Sequence, residues 1–238
     1  MQIKGVQIMK GCAIIVAGGK GKRFSEEKDS YKQFLSLKDK PVIVWAISAF
    51  ENVAQVRDII VVVPDEKIGY CRNLMKQYKF RKITGIVSGG RFRQDSVYNG
   101  LRKVSRDIDI VLVHDSVRPL ITPSLIEGCI SEALKYGAAI LAVPVKDTIK
   151  LAKKNIVSQT LDRSRLWSVQ TPQCFRREII LKAYEKARKD NFLGSDDAAL
   201  VERLSQEVRI VQGSYENIKI TTPEDIILAE EILKRRSL

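Results

Sequence analysis

The residues best suited to chemistry begin at Ala17-Gly18-Gly19-Lys20-Gly21-Lys22-Arg23, where three glycines and three cations follow directly on the apolar run Cys12 to Val16. Without Cβ atoms to hold a ligand off, such a loop lets backbone N–H groups meet a phosphate while Lys20, Lys22 and Arg23 supply positive charge. Lys32, in Tyr31-Lys32-Gln33-Phe34, is close enough in sequence to fold back over the same loop. Two common phosphate motifs fail here. Gly19-Lys20-Gly21 opens like a dinucleotide fingerprint, but Phe24 stands at the third glycine position and the acid expected about twenty residues on is missing. A P-loop needs Ser or Thr after Gly21-Lys22, where this chain has Arg23, and a glycine where it has Val16.

The elements around these residues must bring them together. Residues 12–16, 58–64, 83–87, 109–115 and 138–143 read as strands, the first two of them buried, and 42–50, 66–78, 93–103 and 123–136 as helices between them. Strand and helix alternate five times, which argues for an α/β fold: an open, doubly wound, mostly parallel sheet. In such sheets the ligand lies beyond the carboxyl ends of the strands. The loop at 17–23, Gly89 and Gly90, and the run Asp115 to Arg118 all follow predicted strands, so three loops should converge on one crevice. The alternation breaks at 146–170, where 149–151 and 156–161 flank Lys153-Lys154-Asn155 as a projecting β-hairpin. Such a hairpin has little core of its own, so it should pack against a second copy of the chain. Helices are expected again at 178–190, 196–204 and 224–233, with short extended pieces at 208–211 and 217–220.

A chain of 238 residues with 45% hydrophobic content suits one domain, 1–238, carrying that arm. Its formal charge of +13 favours anionic partners. The basic residues are scattered and few aromatics are placed to stack bases, which argues against nucleic acid. No apolar run is long enough to span a bilayer, so no membrane partner is expected. Cys12, Cys71, Cys129 and Cys174 lie far apart, outside any zinc or redox spacing, as in a reduced cytoplasmic protein.

The glycine loop with Lys32-Gln33-Phe34 resembles that of the sugar-phosphate nucleotidyltransferases. Further motifs narrow the resemblance: Ser88-Gly89-Gly90 with Arg93 to Val97, Val113 to Pro119, Pro144 to Thr148, Leu166-Trp167 with Gln170 to Gln173, and Asn217 to Thr221. In this order they are similar to the 2-C-methyl-D-erythritol 4-phosphate cytidylyltransferase family, over about 12–233. The resemblance implies a Rossmann-like nucleotidyltransferase fold, CTP and a sugar-alcohol phosphate as substrates, Mg²⁺ as cofactor, and a homodimer exchanging arms. Arg23 and Lys32 would stabilise the α-phosphate in the transition state, with Lys219 at the phosphates and Arg163 placing the acceptor. Ala17, Gly18, Gly19, Lys20, Gly21, Gly90, Ser96 and Ser116 would bind the nucleotide. Asp115 would help hold Mg²⁺ and contact the acceptor. Arg118 could fork onto Asp115 or a phosphate. Thr148, Arg163, Thr171 and Ser195 match acceptor-binding positions, with Thr148 and Arg163 reached from the partner's arm.

Two departures from the family pattern stand out. Tyr31 replaces a usual proline before Lys32-Gln33, and Ser195 replaces a common threonine, keeping a hydroxyl at a helix start. His114, the single histidine, invites a general-base role, yet a phosphate monoester is already a nucleophile near neutral pH and a packed strand-end histidine is the better reading. Ribitol 5-phosphate is the competing acceptor. A nucleotide- or nucleic-acid-binding regulator without turnover is the alternative from another class.

Overall fold

The computed structural model describes residues 9–19 and 31–236. Lys20, Gly21 and Arg23, and the stretch 25–30 read as an exposed flap, lie outside the described residues. A seven-stranded sheet runs through the centre, built from β1 (Gly11–Val16), β4 (Val56–Val63), β5 (Ile83–Ser88), β6 (Ile110–Asp115), β7 (Ala138–Pro144), β10 (Trp167–Arg176) and β11 (Arg209–Gln212). Two short strands, β2 (Ser36–Leu37) and β3 (Lys40–Pro41), form a small ladder ahead of helix α1 (Val42–Glu51).

The spatial order is β11-β7-β10-β6-β1-β4-β5. The pairs β1–β4, β1–β6, β4–β5 and β11–β7 are parallel, as the strand and helix alternation predicts. Strand β10 departs from that expectation by running antiparallel between β6 and β7. The extended piece at 217–220 is held by the Ile220 N–H donating to the Val117 carbonyl rather than by a sheet ladder.

Side chains alternate across β1, so Ala13 and Ile15 enter one core and Cys12 and Ile14 the other. Ile14 and Ile15 are fully buried, each worth about 2 kcal/mol of transfer free energy. Helices α1, α2 (Ile68–Gln77) and α4 (Pro123–Tyr136) cover the first face through residues such as Ile47, Met75 and Ile126. Helices α3 (Arg93–Leu101), α5 (Arg177–Lys189) and α6 (Asp197–Glu202) cover the second through Val97, Tyr184 and Leu200. A third cluster joins α7 (Pro223–Arg236), through Ala229 and Ile232, to Val117 and Ile220 beside the carboxyl end of β6.

Local signals set the joints. Pro123 begins α4, where its missing N–H costs nothing, and Gly137 ends it with φ 95°, delivering the chain straight into β7. The predicted arm is the hairpin β8 (Lys150–Lys153) and β9 (Ile156–Thr160). Its turn, Lys154-Asn155, has φ of 49° and 62°, the left-handed pair that a tight two-residue hairpin requires. Every residue of both strands is exposed. No described helix is long and apolar enough to cross a membrane.

Candidate active site

The carboxyl ends of β1, β5 and β6 open onto one crevice of about 600 Å³. It is lined by Ala17, Gly18 and Gly19 after β1, Gly90 and Ser96 after β5, and Asp115 and Ser116 at the end of β6. Lys32 and Lys219 stand on its walls. Gln33, 1% exposed, donates from Nε2 to the Ala17 carbonyl at 2.6 Å and to the Gly19 carbonyl at 3.3 Å, tying the turn that carries Lys32 to the glycine loop. A backbone bond from the Ser116 N–H to the Val16 carbonyl, 3.0 Å, joins the loops after β6 and β1.

The small residues have a steric reason. A Cβ on Gly18 would stand 3.0 Å from Ser96 Oγ, and one on Gly90 would meet the Asp95 Cβ at 2.3 Å. Ser96 Oγ accepts from the Gly90 N–H at 3.0 Å and donates to the Phe92 carbonyl at 3.2 Å, which fixes the turn against the first residues of α3. The glycines therefore let both loops pack closely against the start of α3 at the edge of the crevice.

Asp115 is the electrostatic centre, 7% exposed with a cation on each oxygen. Arg93 Nε donates to Oδ1 at 3.0 Å and Lys219 Nζ to Oδ2 at 2.6 Å. Burial pushes the Asp115 carboxyl up, but Arg93 and Lys219 outweigh it and hold the group well below the usual carboxylate range. Arg93 also donates from Nη1 to Asp197 Oδ2 at 2.8 Å. Asp197 is fully buried, its carboxylate accepts from the Tyr184 hydroxyl, and its backbone N–H donates to Gln173 Oε1 on β10. A buried relay thus runs from the crevice through Arg93 to α6.

Arg93, Asp197, Gln33 and Gln173 were not singled out from sequence. Arg93 and Asp197 are 104 residues apart and each opens a helix, so nothing in their spacing links them. The Arg-Gln-Asp-Ser run was visible, but only its serine was assigned.

Other expected positions sit differently. Arg118 does not fork onto Asp115; Nη1 donates to the Asn217 carbonyl at 2.7 Å and Nη2 to the Val169 carbonyl at 3.4 Å, while its buried Nε has no partner among the described residues. Thr171 turns its hydroxyl inward, accepting from the Asp115 N–H at 3.1 Å and meeting His114 Nδ1 at 3.0 Å. His114 is fully buried beside Phe50, and burial pushes its imidazole down to about 3, so it is neutral and structural as expected. The helix-start hydroxyl expected of Ser195 is not the cap: Ser195 is exposed, and Asp196 caps α6 by accepting from the Ala199 N–H. Thr148 and Arg163 are exposed on the arm side, Arg163 donating to the Lys146 carbonyl at 2.7 Å, and neither lines this crevice.

Among the described residues there is no cluster of three His, Cys, Asp or Glu side chains that could hold a metal ion. Asp115 alone is not a metal cage. Mg²⁺ is commonly held by one or two carboxylates together with substrate phosphates, and an ion arriving on nucleotide phosphates would meet here a carboxylate whose two oxygens already pair with Arg93 and Lys219.

The geometry is that of an α/β crevice with glycine loops, facing cations and one paired carboxylate, on a fold that known proteins share. The family model described as 2-C-methyl-D-erythritol 4-phosphate cytidylyltransferase (IspD) matches residues 11–235. A protein of that name from Alkaliphilus oremlandii is 48% identical over 231 residues, covering 96% of this chain and 97% of the relative. Another so named, from Caldanaerobacter subterraneus subsp. tengcongensis, is 45% identical over 229 residues, covering 95% and 100%. The crystal structure of 4-diphosphocytidyl-2C-methyl-D-erythritol synthase from Anaerococcus prevotii superposes with a TM-score of 0.83 at 30% identity, covering 95% of this chain and 99% of that one. This chain is a member of the 2-C-methyl-D-erythritol 4-phosphate cytidylyltransferase family.

Proposed function

We propose that this protein transfers CMP from CTP to 2-C-methyl-D-erythritol 4-phosphate, releasing pyrophosphate, in the synthesis of isoprenoid precursors. One observation carries the reading most directly: the glycine loop, Lys32, Lys219 and Asp115 face a single crevice at the carboxyl ends of β1 and β6. A phosphate oxygen of the acceptor attacks the α-phosphorus of CTP while the bond to the β-phosphate oxygen breaks, so pyrophosphate carries away the electron pair. Two anions must approach, and the site's task is neutralisation and in-line placement.

Lys32 and Arg23 stabilise charge on the α-phosphate, a contact of about 3 kcal/mol in the transition state by analogy with a lost oxyanion donor. Lys219, oriented by Asp115, holds the acceptor phosphate near the nucleotide. Arg93 keeps Asp115 ionised and in place. Ala17, Gly18, Gly19, Lys20, Gly21 and Ser116 cradle the triphosphate, and Gly90 and Ser96 admit cytosine and leave no room for a purine. A magnesium ion bound with the triphosphate would neutralise its oxygens, with Asp115 as the carboxylate that meets it. The whole chain works as one domain whose arm, about 146–170, enters the partner of a homodimer. There Thr148 and Arg163 reach the acceptor, while Arg118, Thr171 and Ser195 shape its pocket from the home subunit. The four buried free cysteines suit a reducing cytoplasm.

Pyrophosphate release with CTP and either methylerythritol phosphate or ribitol 5-phosphate tests the assignment. Faster turnover of ribitol 5-phosphate would overturn the choice of acceptor. Lys32→Ala should abolish most turnover while CTP still binds; a regulator without a catalytic step would show no turnover in the unaltered protein.

A further inference from the structure

The turn that carries Lys32 is docked on a second element, away from the glycine loop. Tyr31, 7% exposed, donates its hydroxyl to Glu66 Oε1 at 2.5 Å, and Lys67 Nζ lies 4.7 Å from the centre of its ring. Phe34, on the far side of the turn, meets Tyr70 edge to face at 5.1 Å and Tyr31 at 6.3 Å. Glu66 and Lys67 belong to the 3₁₀ turn Asp65–Lys67 that leads into α2, and Tyr70 lies on α2 itself. Gln33 reaches the opposite way, to the carbonyls of Ala17 and Gly19. The four residues Tyr31 to Phe34 are therefore held at three points, and Lys32 stands between them on the crevice wall.

We infer that Tyr31 is a positioning residue for the transfer reaction, acting through Lys32 by fixing its turn to the Asp65–Lys67 segment. The inference rests on the proposed role of Lys32 at the α-phosphate. A lysine side chain has many rotamers, and a cation contributes to a transition state only as far as its backbone holds it in register with the developing charge. A three-residue 3₁₀ turn has too few internal hydrogen bonds to be rigid alone. The rigidity comes from its flanks. Tyr31 supplies the leading flank with a hydrogen bond, a cation against its ring and near-complete burial, contacts that none of the residues in the crevice itself could replace.

The test is a double-mutant cycle read in single turnovers of CTP and methylerythritol phosphate. Tyr31→Ala should lower kcat by roughly tenfold, with the KM for methylerythritol phosphate moving less than about twofold, because the change acts through the placement of Lys32 at the α-phosphate. Tyr31→Phe, which keeps the ring and loses the bond to Glu66, should cost about threefold, and Glu66→Gln combined with it should add little further. In a Lys32→Ala background, Tyr31→Ala should be silent. An equal loss with and without Lys32 would overturn the inference, as would an unchanged kcat in Tyr31→Ala. If Tyr31→Ala fails to fold, the same comparison made with Tyr31→Phe decides. Failure of the proposed function itself looks different, since the unaltered protein would then show no turnover of this substrate pair.

Discussion

The crevice and the arm are built from opposite materials. At the crevice, Asp115, Ser96, Ser116 and Gln33 are polar groups pressed into the end of a buried sheet, and each is held by named partners. The β8–β9 hairpin has every residue exposed, including Ile156 at 74% and Val157 at 57%, and its order comes from its own ladder and its left-handed turn. Burial makes the crevice precise within one chain, because an unsatisfied polar group there costs more than a surface one. The arm has no such constraint and carries apolar surface that one copy of the chain leaves uncovered. The contrast sets a buried polar constellation in one half against uncovered apolar surface in the other.

The largest expected effect breaks the crevice at its centre. Asp115→Asn leaves Arg93 and Lys219 facing a neutral amide, and turnover should fall by about a hundredfold or more, as measured by pyrophosphate release. Arg93→Met comes next and separates stability from contact with substrate. It strands the fully buried Asp197 without its cation, so urea unfolding should show a loss of about 3 kcal/mol.

Acid should act on the same half. The folded-state value of His114 is pushed below its ordinary 6.5 to about 3, so its contribution is complete above 6.5 and is lost as the pH falls toward 3. Asp115, also depressed, adds its own loss only below its ordinary 3.8. Stability measured from pH 8 down to pH 4 should therefore decline below about 6.5, and His114→Asn should reduce that slope by roughly one proton. A change in slope above pH 7 would contradict this account. The smallest effect belongs to the arm: Ile156→Asp should alter the stability of a single chain by no more than about 0.5 kcal/mol, yet shift the sedimentation profile from dimer toward monomer. If the profile does not move, the arm is not the assembly element.

Much of this architecture was readable in advance, for physical reasons that differ by element. The strands at 12–16, 58–64, 109–115 and 138–143 are mostly runs of β-branched and small apolar residues buried on both faces, a pattern with few rivals, whereas the strand at 83–87 is the half-buried edge of the sheet. Helix α4 was marked at both ends by Pro123 and Gly137. Strand β10 escaped because Gln170, Thr171, Pro172 and Gln173 look like a connecting loop, and its register with β7 shifts between Val169 and Gln173. At the site, the glycines and Lys32 were legible from their types and spacing and Asp115 from its place at the end of an apolar strand, while Lys219 was placed only by the family resemblance. Arg93 and Asp197 were not, since an ion pair that closes over a hundred positions leaves no periodic trace. Arg118 was half legible: its charge was noted, but its choice of backbone carbonyls over Asp115 depends on where Asn217 and Val169 arrive.

The antiparallel strand has one more consequence, which concerns the order of events during synthesis. In the described sheet β10 lies between β7 and the β6-β1-β4-β5 block. A nascent chain that has emerged only as far as Pro144, before β11, holds that block and a lone β7, and the block's bare edge is the strand that ends in Asp115. That edge and β7 must wait for residues 167–176 to leave the ribosome, and until then they are the most adhesive surface the polypeptide offers.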